Sequence, residues 1–193
     1  MEKSNQTITY HTMRHSFLII LLLILFSCGK QETTSTTSEQ PLVDGGQSTV
    51  VDESSEPDVV RVAVNSPMHT TLVAALKAAE YVDALSNAGP FTVFAPTNEA
   101  FDKLPNGTVE GLLKSESKND LRNILEYHVY VGAIKEDYIQ DGMKLNQVNL
   151  DNITLNKKEG KITVNGANVL GVIKAANGFV YVIDAVLLPP VKK

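Results

Sequence analysis

The segment at residues 179–188 limits what this chain can fold into more than any other. It reads FVYVIDAVLL, an almost continuous run of apolar side chains interrupted by Asp184. A strand of that composition has to be buried on both faces, which places it inside a sheet that other elements cover. The turn pair Asn177-Gly178 precedes the run and Pro189-Pro190 follows it, so we expect the strand to end at these pairs.

Helical patterns dominate the chain before this strand. Apolar side chains recur with a helical period over residues 67–85, and Thr70 or Thr71 is available as the cap. Shorter helices are predicted from residue 97 through Phe101, with Thr97 or Asn98 as the cap, at 108–113 and at 118–126, the last capped by Asn119 or Asp120.

Strand patterns dominate the end of the chain. Besides a short strand at 91–94, β-forming runs occupy residues 127–131, 153–155, 161–164, 167–173 and 179–187. The pairs Glu159-Gly160 and Asn165-Gly166 are hairpin turn signals. Helices come first and strands follow without βαβ alternation. We therefore predict an α+β fold in which N-terminal helices pack on a mainly antiparallel sheet.

The first 28 residues carry an export signal. Residues 17–26 form an apolar run that is too short for a membrane span of about 20 residues and fits the core of a signal peptide. The run ends in LFSCG, which resembles a lipobox, and the only cysteine of the chain, Cys28, stands at the position that is lipidated. We predict a lipoprotein signal peptide at 1–27 and a lipid anchor on Cys28. A conventional signal peptide with an incidental cysteine is the alternative.

A polar, acidic segment follows Cys28. Residues 29–57 contain ten Ser and Thr, six acids, one Lys and no aromatic residue. Such a composition cannot bury enough apolar surface to offset the entropy of ordering the chain. We predict a disordered linker at 28–57 and a single domain at 58–193 with its core at 67–190.

Composition also excludes several functions for the domain. Residues 58–193 carry fourteen Lys and Arg against fifteen Asp and Glu, whereas nucleic-acid binding needs a basic surface. A single cysteine rules out an intrachain disulfide and a cysteine-rich metal site. The sequence carries no nucleophile motif and no phosphate loop, and His69 and His128 are the only histidines after Cys28. We predict no enzymatic activity, no cofactor and no metal.

Three blocks of this sequence match one family. FTVFAPTNEAF at 91–101, the pair Tyr127-His128 and ANGFVYVIDAVLLP at 176–189 resemble, in order and spacing, the signature blocks of fasciclin (FAS1) domains. The resemblance implies a FAS1-like fold with a wedge-shaped sheet. It also implies adhesion or ligand binding at cell surfaces, not catalysis. The integrin-linked motif of animal members is missing, because Val172 stands where they have Asp, and Tyr181 stands where a His is frequent.

Tyr127 and His128 are the candidate ligand-binding residues. His128 follows Tyr127 at a helix-to-strand junction, from which it would present an imidazole to a ligand. The alternative is that His128 hydrogen-bonds a neighbouring group and orders the junction. Asp184 interrupts an apolar strand and is expected to be paired, because an unpaired buried charge is costly.

We therefore expect a membrane-anchored adhesion module that binds an extracellular polysaccharide or a surface protein. The alternative is a periplasmic carrier or sensor with an apolar ligand between helices and sheet, in a cavity lined by residues such as Leu76, Phe101 and Val129. Gly29, after Cys28, does not resemble an inner-membrane retention signal. The expected location is the outer membrane, facing the cell surface or the periplasm.

Overall fold

The computed structural model describes residues 55–190. The predicted signal peptide, the lipidation site Cys28 and the predicted linker up to residue 54 lie outside the described residues. Within residues 55–190, no helix is both long enough and apolar enough to cross a membrane.

Six helices and three short 3₁₀ turns form the helical part of the described chain. The helices are α1 (Val59–Val64), α2 (Thr70–Ala78), α3 (Val82–Ser86), α4 (Asn98–Asp102), α5 (Thr108–Leu112) and α6 (Lys118–Tyr127). The 3₁₀ turns are Pro67–His69, Ser115–Ser117 and Glu136–Tyr138. The sequence predicted helices at the positions of α2 to α6. Helix α1 was missed, because a six-residue valine-rich segment carries no clear helical period.

The caps of these helices differ in part from the prediction. Thr97 caps α4 as predicted, since its Oγ1 accepts a hydrogen bond from Ala100 N at 3.3 Å. Helix α2 is not capped by its own threonines: Asn98 Oδ1, from α4, accepts from Thr71 N at 3.0 Å. The predicted caps of α6 were also wrong, because that helix begins at Lys118, before both Asn119 and Asp120. At the start of α2, the Asn98 side chain, which is distant in sequence, thus takes the place of a local cap.

Seven strands of residues 55–190 form the sheet. They are β1 (Phe91–Pro96), β2 (Val129–Val131), β3 (Met143–Asn146), β4 (Asn152–Lys158), β5 (Lys161–Val164), β6 (Ala167–Ala175) and β7 (Gly178–Ile183). Their order across the sheet is β2-β1-β7-β6-β5-β4-β3. All neighbours are antiparallel except β1 and β7, which run parallel from Phe91↔Gly178 to Pro96↔Ile183. The predicted α+β class with a mainly antiparallel sheet is confirmed.

Several strand limits depart from the prediction, and β4, for example, spans Asn152–Lys158 rather than 153–155. Tyr127 is the last residue of α6 rather than the first of a strand. Strand β3 was missed, since Met143–Asn146 alternates weakly between apolar and polar side chains. Strand β7 ends at Ile183 instead of continuing to 187, because Asp184 turns to hydrogen-bond Asn168 of β6.

The central position of β7 follows from its burial on both faces. Val180 packs in a core between the helices and the sheet, together with Leu76, Leu125 and Val93. The next residue, Tyr181, lies in a second core with Phe94, Ile153, Leu155 and Val164. Residues 180–183 are each at most 5% exposed. Burial on both faces is confirmed for residues 180–183, whereas the rest of the predicted run leaves the sheet after Ile183 and Leu188 is 55% exposed.

Both predicted hairpin turns are present. Glu159 and Gly160 have φ of 50° and 78°, and Asn165 and Gly166 have φ of 48° and 91°. Two successive residues with positive φ give the turn twist that suits antiparallel strands. These turns set the register of β4 with β5 and of β5 with β6.

Candidate functional site

His128 lies in the interior of the domain with both ring nitrogens hydrogen-bonded. Its Nδ1 donates to Ile124 O at 2.7 Å, and its Nε2 accepts from Leu187 N at 2.9 Å. The side chain is 3% exposed. Burial lowers the pKa of His128 from 6.5 to about 4, so the ring is neutral near pH 7. The imidazole therefore joins helix α6 to the segment after β7.

Tyr127 joins the same helix to the start of β4 and to the turn between β5 and β6. Its hydroxyl donates to Asn152 O at 3.0 Å and accepts from Asn165 Nδ2 at 2.9 Å. The polar side-chain atoms of Tyr127 and His128 are thus used inside the fold, which is the ordering role that the sequence left open for His128. Ligand binding by this pair stays a prediction.

Asp184 is paired, as the sequence predicted. Its carboxylate accepts from Asn168 N at 2.7 Å and from Asn168 Nδ2 at 2.8 Å. Lys103 Nζ lies 3.9 Å from the same carboxylate. The hydrogen bond from Asn168 is the main cause that lowers the pKa of Asp184. These contacts hold the chain where it leaves β7.

The interior has little room for a ligand. Leu76 and Val129, predicted to line a cavity, border a void of about 10 Å³. That is at the lower limit of the space for one water molecule. Phe101 lies instead in a shallow apolar groove, formed with residues of α5 and α6, with a free volume of about 20 Å³.

An open cleft of about 800 Å³ lies at the end of the sheet where β7 begins. We call it the entry cleft, because the described chain enters the domain there. Four separate parts of the sequence line it, with Glu56, Asp58, Arg61, Asn87, Lys135, Lys174, Asn177 and Phe179 among them.

Asn177 holds the floor of the entry cleft together. Its Oδ1 accepts from Val59 N at 2.9 Å, which ties helix α1 to the turn before β7. Its Nδ2 donates to Leu85 O at 2.8 Å and to Asn87 O at 3.1 Å, which ties the loop after α3 to the same turn. One amide side chain therefore positions two of the other segments that line the cleft.

Charged side chains on the cleft wall contact neighbouring parts of the chain. Lys174 Nζ lies 3.1 Å from Glu56 Oε1, and Asp58 Oδ1 accepts from Arg61 N at 2.8 Å as the cap of α1. Lys135, in the loop after β2, also lines the cleft. The cleft thus offers amide, carboxylate and ammonium groups beside the partly buried Phe179. These groups suit hydrogen bonding to a polar ligand.

Metal chemistry has no clear location in the part of the chain that the structure describes. Residues 55–190 contain no group of three His, Cys, Asp or Glu side chains arranged to hold an ion. Sequence reasoning missed the entry cleft, because its lining is spread from residue 55 to residue 179 and no local motif connects these segments.

The fold and the cleft define an α+β domain that presents an open surface cleft rather than an enclosed pocket. The model of the Fasciclin domain matches residues 67–189. The chain belongs to the fasciclin (FAS1) domain family.

Relatives include proteins of cyanobacteria and mycobacteria. Protein sll1483 of Synechocystis sp. is 49% identical over 133 residues, covering 68% of this chain and 73% of that protein. The cell surface glycolipoprotein MPT83 of Mycobacterium tuberculosis is 40% identical over 137 residues, covering 68% of this chain and 60% of the relative.

A solved structure supports the fold. The FAS1 domain pair from the insect cell adhesion molecule fasciclin I matches with a TM-score of 0.62 and 20% sequence identity. The match covers 68% of this chain and 51% of the insect chain. At this identity the similarity establishes the FAS1 fold alone.

Proposed function

We propose that this protein is a non-catalytic adhesion module of the cell envelope that binds extracellular polysaccharide in the entry cleft. The observation that carries the proposal is the cleft itself: an open space of about 800 Å³ whose lining includes amide, carboxylate and ammonium side chains, whereas the void beside Leu76 and Val129 measures about 10 Å³. A chain of sugar rings needs an open groove rather than a closed pocket. Its hydroxyls require donors and acceptors such as those of Asn87, Lys135 and Glu56.

The relatives support a surface location. MPT83 is named a cell surface glycolipoprotein, and it is 40% identical to this chain over the matched region. A lipid on Cys28, which the sequence predicts, would keep the domain at the membrane. Outer-membrane attachment and exposure to the medium are part of the same proposal.

The carrier alternative lacks a supporting observation. A small apolar ligand needs an enclosed apolar pocket of several hundred Å³. The void beside Leu76 and Val129 is about 10 Å³ and the groove at Phe101 about 20 Å³. Polysaccharide in the entry cleft is therefore the proposal that we favour.

Binding to extracellular polysaccharide isolated from the source organism tests the proposal. We expect the full chain to bind, and Lys135→Ala and Asn87→Ala to weaken binding about tenfold or more, equivalent to about 1.4 kcal/mol each. Lys144→Ala is the matched control, because Lys144 is exposed on β3 and does not line the cleft. Equal affinity of the cleft variants and the control would exclude the cleft as the site.

Protease added to intact cells tests the location. Removal of the domain, with a periplasmic protein left intact, is the expected result for a surface-exposed module. Protection of the domain would place it in the periplasm and contradict a role in attachment to extracellular material.

A further inference from the structure

Leu150 is exposed and has an unfavourable backbone conformation. It occupies the turn between β3 and β4 with φ of 71°, and 77% of its surface is exposed. A positive φ brings the Cβ of an L-residue too close to its own backbone, and for a bulky apolar residue it is uncommon. Four non-glycine residues among residues 55–190 have positive φ, and Leu150 alone of these has an apolar side chain.

The turn around Leu150 is held by hydrogen bonds on both sides. Gln147 N donates to Asp151 O at 2.8 Å, and Leu150 N donates to Gln147 O at 2.9 Å. Asn146 Nδ2 donates to Leu150 O at 2.9 Å. These bonds fix the conformation of Leu150, so its side chain projects from a rigid backbone.

The turn is also attached to the body of the domain. Val148 N donates to Val129 O of β2 at 2.9 Å, and Asn149 Nδ2 donates to Asn123 Oδ1 of α6 at 3.2 Å. A turn whose backbone is already ordered loses little backbone entropy when its side chain binds a partner. The turn therefore presents Leu150 in a form that favours association.

Fold stability does not account for a leucine at this position. An exposed leucine gains little from the hydrophobic effect, and Gly or Asn would adopt the same φ with less strain. A single exposed apolar residue needs no explanation by itself, and Leu170, 61% exposed on β6, is an example. Leu150 differs because exposure and backbone strain coincide, and local strain is concentrated at functional sites.

We propose that Leu150 is the anchor of a protein-binding site and inserts into an apolar socket on a partner protein. Charge in the turn favours a protein over a membrane, because residues 147–151 contain Asp151 and no Lys or Arg. Anionic lipid surfaces attract basic segments instead. The site lies outside the entry cleft, whose lining includes none of residues 146–151. It is a second contact beyond the proposed polysaccharide site.

Two measurements on the full chain test the proposal. In the first, Leu150→Asn and Leu150→Gly are expected to raise the midpoint of thermal unfolding by about 3 °C, because they remove the strain. Gly also raises the conformational entropy of the unfolded chain, which lowers stability, so the Asn variant measures the removal of strain without that effect. A lower midpoint for both variants would show that Leu150 stabilises the fold and would overturn the proposal.

The second measurement is binding of the labelled chain to cells of the source organism from which its own gene is deleted. We expect Leu150→Asn to weaken binding about tenfold. Leu170→Asn, which removes another exposed leucine, should bind as the wild type does. Protease treatment of the cells should abolish the part of the binding that depends on Leu150, and removal of polysaccharide should leave it.

Equal binding by the wild type and Leu150→Asn, including no binding by either, would overturn the proposal. Leu150-dependent binding that survives protease, or that phospholipid vesicles reproduce, would also overturn it. Failure of the cleft variants Lys135→Ala and Asn87→Ala to affect polysaccharide binding is a separate outcome that concerns the entry cleft alone.

Discussion

Gly178 is the position at which a single methyl group should damage this fold most. It begins β7 with φ of 157° and faces Phe91 of β1, its partner in the parallel ladder. A Cβ added at Gly178 would lie 1.9 Å from Phe91 O and 2.7 Å from Phe91 C. Both atoms belong to the backbone, so no side-chain rotation relieves the contact.

The expected loss of stability follows from how far β1 and β7 must move apart to relieve this contact. A carbon and a carbonyl oxygen approach to about 3.3 Å, so β1 and β7 must separate by more than about 1 Å in Gly178→Ala. That shift weakens the adjoining hydrogen bonds, including the one from Phe91 N to Asn177 O at 2.9 Å, each worth about 1 kcal/mol. With the backbone strain at this φ added, we expect a loss of about 4 kcal/mol or more.

Urea unfolding of Gly178→Ala and Gly171→Ala measures this loss against a matched control. Gly171 lies on the neighbouring strand β6, and a Cβ there meets no atom within 4 Å. We expect Gly171→Ala to stay within about 0.5 kcal/mol of the wild type. The total stability of such domains is about 5–15 kcal/mol, so Gly178→Ala should unfold at much lower urea or fail to fold. A Gly178→Ala variant within about 1 kcal/mol of the wild type, with an unchanged dependence on urea, would refute the steric argument.

Two further predictions concern buried polar groups. Burial lowers the pKa of His128 from 6.5 to about 4. Between these two pH values the unfolded state binds more protons than the folded state, so the free energy of unfolding falls as the pH falls. His128 alone accounts for a loss of about 3 kcal/mol over this range. Burial also lowers the pKa of His69 and adds to the loss in the same direction. Urea midpoints from pH 8 to pH 4 should therefore decline more steeply for the wild type than for His128→Gln, and parallel curves would contradict this assignment. Thr92→Val should cost about 2–3 kcal/mol, because the buried Thr92 Oγ1 donates to Gly132 O at 2.6 Å and accepts from Ile134 N at 3.0 Å. Its urea midpoint measures the cost, and a midpoint equal to that of the wild type would show that neither bond stabilises the fold.

The class of fold could be predicted because the signals that define it are local. Glu159-Gly160 and Asn165-Gly166 formed turns as predicted, since positive φ at two adjacent residues is a property of the turn residues themselves. Thr97 capped α4 for the same reason, because the capping oxygen and the helix amide are three residues apart. The predictions failed where a distant residue intervened, as with Asn98 at the start of α2.

Candidate sites were harder to predict than elements. A Tyr-His pair at a junction is visible in the sequence, but its contacts are not. The hydrogen bonds of His128 to Ile124 and Leu187 join positions 4 and 59 residues away, and only the folded chain brings the second of these into reach. The entry cleft left no sequence signal, because its charged and amide side chains are ordinary surface residues until the sheet places them side by side.

The sequence by itself determined the α+β class, the central strand β7 buried on both faces and the hairpin turns, because these depend on side-chain period and on residues adjacent in the chain. Tertiary structure decided the parallel pairing of β1 with β7, the occupation of both His128 nitrogens, the entry cleft and the exposed position of Leu150. The physical reason is range: periodicity and turn preference act over a few residues, whereas burial, hydrogen-bond partners and surface shape depend on atoms that meet only after the whole domain has folded.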